Sequence, residues 1–373
     1  MLSFCQLLTH LEEALVHDFR SRRSLVALAG SILLGATLAG CGGGASPAPP
    51  VVGSQFVARQ APVSAAATLA ASPGETAASL SVTKNATPNY TITAATAHVY
   101  APHAASTTGS AKPARVVYPS DLQYYGGPLM QTAKVYNVFV DSAPSQFNYP
   151  RNFLMNLFSS SMIHILDQYE GSTANGRYLA SGGVTVNYPA YTTLGDNDLL
   201  LILHAVGAYL APMGSSTNVY NIFLAPGLNY CGSGTIFPNG LCNASPTSPN
   251  PAFCAFHSEV TFSDVGEVLY NLQPYQDVNY CAVNFYFPSA TMPNGVQADT
   301  QDSALSHELF ETFTDPIPGT GWYDANSPAV SGEIGDLCAY ISSQTVRLNA
   351  KKYFIQGEYS NAIHACTVAP RAP

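Results

Sequence analysis

Apolar and polar positions alternate along several stretches of the chain. Lys134–Asp141 (KVYNVFVD) sets β-branched and aromatic side chains at alternate positions, the period of a half-buried strand. Asn218–Leu224 (NVYNIFL), Phe253–Phe262 and Tyr280–Phe287 are predicted as strands too. Elsewhere the spacing is helical. Residues 151–169 carry Phe153, Leu154, Leu157, Phe158, Met162, Ile165 and Leu166 on one face, which predicts an amphipathic helix ending near Gly171. Asp196–Leu210 is almost wholly apolar, so a second helix is expected to be buried. Ser303–Thr314 is a third helix, stopped by Pro316. Helices alternating with strands predict a single α/β (or α+β) domain over 116–373, a mixed sheet with packed helices.

The N-terminal third reads differently. Arg20-Ser21-Arg22-Arg23 precedes a 17-residue apolar run that ends at Leu38-Ala39-Gly40-Cys41. A basic segment, a short apolar stretch and small residues before a cysteine predict a lipoprotein signal over 1–40, with Cys41 the lipidated residue. The run is short for a helix spanning a bilayer, which takes about 20 residues. Ser21–Leu25 also resembles a twin-arginine signal. Residues 41–115 are rich in Ala, Ser, Thr, Pro and Gly and read as a flexible tether, within which Tyr90–Thr93 has the character of a short strand.

Export changes how the cysteines are read. Besides Cys5 and Cys41 the chain holds Cys231, Cys242, Cys254, Cys281, Cys338 and Cys366. Six cysteines in an exported chain predict disulfides, with fifteen connectivities open. No C-x-x-C pair is present to suggest a thiolate metal site. The formal charge of −9 argues against nucleic acid as a partner.

Chemistry concentrates in the third helix, SHELFETFTDP. At 100° per residue, His307, Glu311 and Asp315 share a face, Glu308 flanks it, and Leu305, Leu309 and Phe313 lie opposite. No Lys or Arg occurs between Arg177 and Arg347, while fourteen acids do. Several of these belong to a solvated surface, but clustered carboxylates repel one another, and protons or a bound cation relieve the repulsion. His307 and Glu311, at i and i+4, can converge on one ion, as the histidines of H-E-x-x-H do. A further ligand is expected from Glu333 or Asp336 in GEIGDLC, beside Cys338, and then from His257. Glu308 is placed to act as general base on a bound water. Such a mixed set suits a divalent metal, zinc first, while an all-oxygen subset would suit calcium.

Several linked motifs carry a family resemblance. They are Tyr124-Tyr125-Gly126-Gly127, FCAFH at 253–257, Pro293-Asn294-Gly295, HELFETFTDP at 307–316, Gly321-Trp322-Tyr323, GEIGDLC at 332–338, and QGEYSN closing on Cys366. In order and approximate spacing they resemble the plant phosphate-induced, EXORDIUM-like protein family and its bacterial relatives, over roughly 120–367 and most strongly over 292–367. The resemblance implies an extracellular protein, with no settled catalytic activity. The family's H-E-L-x-E falls on His307, Glu308, Leu309 and Glu311, and its E-I-x-D-x-C on Glu333, Ile334, Asp336 and Cys338. Plant members commonly have Asn-Pro where this chain has Asp315-Pro316, and the cysteine spacing over 231–254 departs from theirs.

Other residues admit two readings. His257 is either a ligand anchored by Cys254 or a strand histidine with a satisfied hydrogen bond. His204 and His164 read as buried structural histidines. Trp322, the only tryptophan, either lines a sugar or peptide cleft or anchors packing. No G-x-S-x-G elbow and no Gly-rich nucleotide loop is present. The expectation is an exported, lipid-anchored, metal-dependent hydrolase with a zincin-like helix, acting on an extracellular peptide or polysaccharide. The alternative is a non-catalytic surface protein that binds glycans or proteins and holds a structural metal. A degenerate enzyme that keeps only the fold is a third reading.

Overall fold

Branched and aromatic residues at alternate positions build an eight-stranded mixed sheet. A computed structural model of the chain describes residues 68–69, 78–84, 88–100, 121–188, 192–210, 217–244, 251–278, 280–326 and 332–370. The strands are β1 (Thr68–Leu69), β2 (Ala78–Ser81), β3 (Ile92–Tyr100), β4 (Ala133–Val140), β5 (Tyr178–Asn187), β6 (Asn218–Leu224), β7 (Ala255–Phe262) and β8 (Gly266–Gln273). Across the sheet they run β1-β2-β5-β4-β6-β8-β7-β3. Neighbours are parallel from β2 to β8. The pairs β1–β2, β8–β7 and β7–β3 are antiparallel. β6, in the middle of the parallel part, is buried at every position, as a strand covered on both faces must be.

Helices cover both faces. Val138, Val140, Ile222, Leu224, Val268 and Leu272 share a core with Leu199, Ile202, Leu203 and Val206 of α2 (Asp196–Leu210). A Cβ on Gly207 would stand 2.9 Å from Val265 Cγ1 and 3.0 Å from Val268 Cγ2, so a glycine lets α2 lie close to the sheet. On the other face Phe139, Val219, Phe223 and Leu269 pack with Phe153, Leu154 and Leu157 of α1 (Pro150–Phe158) and with Leu305, Leu309 and Phe313 of α3 (Val296–Thr314). Three disulfides join Cys231–Cys242, Cys254–Cys281 and Cys338–Cys366. The fold is a mixed α/β structure with a large sheet, few helices and three cross-links.

One row on the α3 face is polar. Asn137, Asn221, Asn271, His257 and His98 pair in register across β4, β6, β8, β7 and β3. Asn221 Nδ2 donates to Asn137 Oδ1 (3.0 Å) and Asn271 Nδ2 to Asn221 Oδ1 (2.9 Å). Thr312 Oγ1 of α3 donates to Asn271 Oδ1 (2.7 Å). An amide carries donor and acceptor together, so the ladder satisfies itself without water. It seats α3 over the sheet, with the two histidines of the row beside it.

Several sequence expectations are corrected. The tether over 41–115 does not hold for 78–81 and 92–100, which form β2 and β3; β3 closes one edge of the sheet against β7. Ala and Thr give the segment the composition of a linker, while its ladder with β7 makes it a strand. Tyr280–Phe287 is not a strand: Cys281 is tied to Cys254, and Val283–Tyr286 is a short helical turn whose Val283 N–H donates to Thr300 Oγ1 (3.1 Å). Both sides of β7 and β8 already have partners, which leaves no ladder for it to join. The predicted 151–169 helix breaks after Phe158, because Ser160 caps a new 3-10 segment by accepting from Met162 N–H (3.2 Å). The helix expected at Ser303–Thr314 begins earlier, at Val296. The signal over 1–40 and Cys41 lie outside the described residues. Among the described residues no helix is long and apolar enough to cross a membrane. The disulfides fit an exported protein.

Candidate metal centre

Both faces of α3 are covered: every residue from Ala298 to Thr314 is buried. Its acidic side lies against β7, β3 and the GEIGDLC loop. The loop is held there by backbone and cross-link. Tyr359 N–H donates to Ile334 O (3.0 Å), Asp336 N–H donates to Glu311 Oε1 (3.2 Å), and Cys338 is bonded to Cys366. Gly335 is required for space: a Cβ there would stand 2.5 Å from His307 Nδ1.

All six residues expected at the site converge. His307 Nε2 lies 3.1 Å from Glu311 Oε1 and 3.7 Å from Asp336 Oδ1. His257 Nδ1 lies 3.3 Å from Glu308 Oε2 and 3.4 Å from Glu311 Oε2, and its Nε2 lies 3.5 Å from Glu333 Oε2. A seventh residue, His98 on β3, was missed. Its Nε2 is 2.8 Å from Asp336 Oδ2 and 4.0 Å from Glu311 Oε2, and its Nδ1 is 3.1 Å from Glu333 Oε1. None of the seven is more than 3 % exposed. Glu358, in QGEYSN, is also fully buried, and neither of its carboxylate oxygens has a hydrogen bond. The sequence signal for His98 was the alternation that continues past Tyr90–Thr93 into TAATAHVY; for Glu358 it was the motif that contains it.

Electrostatics set this cluster apart from a satisfied core. Among the described residues, every ion pair within it is made by a histidine. Burial, then Glu311 and Asp336, push the Glu308 carboxyl well above its ordinary range. Burial, then Asp315 and Glu311, do the same to Glu333, and burial, Glu311 and Asp336 to Glu358. Burial also works against charge on Glu311, but His307, His257 and His98 together hold it below the usual range. Burial opposes the His98 imidazolium too, yet Asp336, by charge and hydrogen bond, and Glu311 push it up to about 9. His307 Nε2, Glu308 Oε1, Glu311 Oε2 and Glu333 Oε2 are buried without a hydrogen bond. Each such atom costs roughly 1–3 kcal/mol, and more when charged. A cation among them would remove that cost.

Three sets of donor atoms lie within 4.8 Å of one another: His98/Glu311/Glu333, His257/Glu308/Glu311 and His307/Glu311/Asp336. Glu311 belongs to all three. These groups could hold a metal ion. The unused ring nitrogens also have partners, as ligating histidines require: His257 Nε2 lies 3.2 Å from the Asp315 carbonyl oxygen, and His307 Nδ1 lies 3.0 Å from the Gln356 side-chain amide.

Other candidates resolve as structure. Asp315 accepts from the N–H groups of Gly319, Thr320 and Gly321 (2.8, 3.1 and 2.6 Å), so its carboxylate shapes the following turn. Trp322 Nε1 donates to Tyr169 O (2.9 Å), a packing anchor. His204 pairs with Asp264 and His164 with Asp167, each at 2.9 Å. No family model, curated protein or solved structure matches the chain.

Proposed function

We propose that this is an exported metalloprotein whose divalent ion, zinc first and calcium second, is held by His98, His257, His307, Glu311 and Asp336, and that it hydrolyses an extracellular peptide or polysaccharide. The observation that carries the reading is convergence: three imidazoles and four carboxylates within 4.0 Å contacts, buried, with four orphaned polar atoms, in a chain that has no Lys or Arg between Arg177 and Arg347. Mixed nitrogen and oxygen donors suit zinc better than calcium. The ion would acidify a water. Glu308 would take that proton: its Oε1 has no partner, and a neighbouring cation would draw its carboxyl back toward the ionised form. The zincin-like element is α3, with Glu311 where a second histidine stands in H-E-x-x-H. A lipid on Cys41 would anchor the protein to a bacterial cell envelope. The resemblance to EXORDIUM-like proteins supports an extracellular setting.

Burial favours a second reading. A site of seven residues none above 3 % exposure is closed, as structural metal sites are. On that reading the ion stabilises a non-catalytic glycan- or protein-binding surface protein. Metal analysis of the purified protein comes first: absence of a stoichiometric divalent ion defeats both readings. Glu308→Gln then separates them on a peptidase and polysaccharide panel. Hydrolysis by the parent that falls at least 100-fold in the variant, with metal retained, supports the enzyme. A parent inert on the panel but bound on a glycan array supports the surface protein.

A further inference from the structure

Resting on the metal reading above, we propose that the centre is dinuclear, with Glu311 and Asp336 bridging two divalent ions. The argument begins with where each oxygen points. Glu311 Oε1 faces His307 Nε2 at 3.1 Å, while Oε2 faces His257 Nδ1 at 3.4 Å and His98 Nε2 at 4.0 Å. Asp336 divides the same way: Oδ1 lies 3.7 Å from His307 Nε2, and Oδ2 lies 2.8 Å from His98 Nε2. Both carboxylates thus turn one oxygen toward His307 and the other toward the β7–β3 histidines.

Donors around one ion with bonds of about 2.1 Å stand roughly 3.0–3.5 Å apart. The contacts are 3.1 and 3.7 Å on the His307 side and 2.8, 3.4 and 4.0 Å on the other. One ion would sit among His307 Nε2, Glu311 Oε1 and Asp336 Oδ1. The other would sit beside Glu311 Oε2, which lies 3.4 Å from His257 Nδ1 and 4.0 Å from His98 Nε2, with Asp336 Oδ2 2.8 Å from His98 Nε2. A single ion placed on either side would leave the histidine donors of the other side facing carboxylate oxygens with no cation between.

Charge points the same way. Glu308, Glu311, Glu333, Asp336 and Glu358 are all buried at the cluster, and no Lys or Arg lies between 178 and 346. The outer contacts also fit. His98 Nδ1 lies 3.1 Å from Glu333 Oε1 and His257 Nε2 lies 3.2 Å from Asp315 O, which leaves Nε2 of the first ring and Nδ1 of the second on the side of the second ion. Glu308 remains outside the bridge, with Oε1 free for a substrate water.

The test uses the full exported chain, stripped with chelator and reloaded with Mn²⁺ or Zn²⁺. Native mass spectrometry is expected to show two Zn²⁺ per chain. With two equivalents of Mn²⁺, electron paramagnetic resonance is expected to show an exchange-coupled pair, since ions sharing carboxylate bridges lie about 3.5–4 Å apart. This measurement on the parent protein needs no variant that could fail to fold. His307→Ala and His257→Ala are each expected to retain one ion and lose the coupled signal. One ion per chain overturns the dinuclear centre and leaves the metal reading standing. Two uncoupled ions overturn the bridge. No bound ion defeats both.

Discussion

Gly335→Ala distinguishes a cluster built around His307 from a loop that merely passes nearby. Gly335 has φ −78° and ψ −42°, a conformation alanine adopts freely. On backbone grounds alone the substitution would stabilise the protein by about 0.4–1 kcal/mol. The space says otherwise. The new Cβ would lie 2.5 Å from His307 Nδ1 and 2.9 Å from both Cγ and Cε1, where ordinary contact begins at 3.4 Å. The ring would have to move by roughly 0.9 Å. It is held by the Tyr100 ring, with centroids 4.0 Å apart, and by the Gln356 amide at 3.0 Å. Overpacking of this kind costs about 1–3 kcal/mol, so the net sign reverses. The shift also stretches the 3.1 Å approach of His307 Nε2 to Glu311 Oε1, and metal affinity is expected to fall at least tenfold. Urea denaturation of chelator-treated protein gives the first number and competition with a chromogenic chelator the second. Gly182→Ala is the control: no atom lies within 4 Å of its added Cβ, and it is expected to stay within about 0.5 kcal/mol of the parent. A Gly335→Ala protein as stable as the parent, with unchanged affinity, would refute the packing argument.

The metal-free protein is expected to lose stability from pH 6 to pH 9. Glu308, Glu333 and Glu358 have raised folded-state values, so above the ordinary carboxylate range the folded chain binds more protons than the unfolded one. His98, pushed up to about 9, adds a contribution that is complete below its unfolded value near 6.5 and lost as pH rises through 9; this alone is on the order of 3 kcal/mol. Urea midpoints of chelator-treated protein at each pH check the sign, and a flat profile contradicts it. Replacing Cys338 and Cys366 by serine opens a loop with a sequence separation of 28 and is expected to cost about 3–4 kcal/mol by chain entropy, with weaker metal binding because the loop carries Glu333 and Asp336; unchanged affinity would show that the loop is held by hydrogen bonds alone. Asn271→Ala removes the partner of both Asn221 and Thr312 and is expected to cost about 1–3 kcal/mol in thermal or urea unfolding; a neutral result would mean the amide row does not seat α3.

Much of this was legible in the chain, for identifiable reasons. Asp196–Leu210 and Asn218–Leu224 match the described elements residue for residue, because each is apolar almost throughout and bounded by polar or turn residues. His307, Glu308 and Glu311 were legible from helical spacing, and Glu333 and Asp336 from a motif beside a cysteine. Recognition failed where composition and geometry disagree. TAATAHVY carries few large apolar residues, so β3 resembled a tether; its place in the sheet comes from pairing with β7 across 150 or more residues of chain, which local pattern does not encode. The burial of α3 on both sides was hidden for a similar reason. Its polar residues look solvated in a helical projection, and only the fold brings histidines and a cross-linked loop against them.

The polar row across the sheet explains why the cluster lies at the β3 edge and not at the centre. Asn137, Asn221 and Asn271 can pass hydrogen bonds from strand to strand because every amide donates and accepts. At β7 and β3 the same row continues with His257 and His98, and the groups facing them are carboxylates. Each imidazole has at most two N–H groups, whereas each carboxylate has two oxygens and no donor when ionised. Three imidazoles therefore cannot satisfy five buried carboxylates, however the rings turn. The deficit is one of positive charge, and the orphaned atoms His307 Nε2, Glu308 Oε1, Glu311 Oε2 and Glu333 Oε2 are where it falls. Protons can fill it only by neutralising the carboxylates. Divalent ions would fill it while engaging nitrogen and oxygen together. The chain thus carries an amide ladder in the middle of its sheet, capped by Thr312 on Asn271, and an acceptor-rich cluster that could hold a cation at the edge.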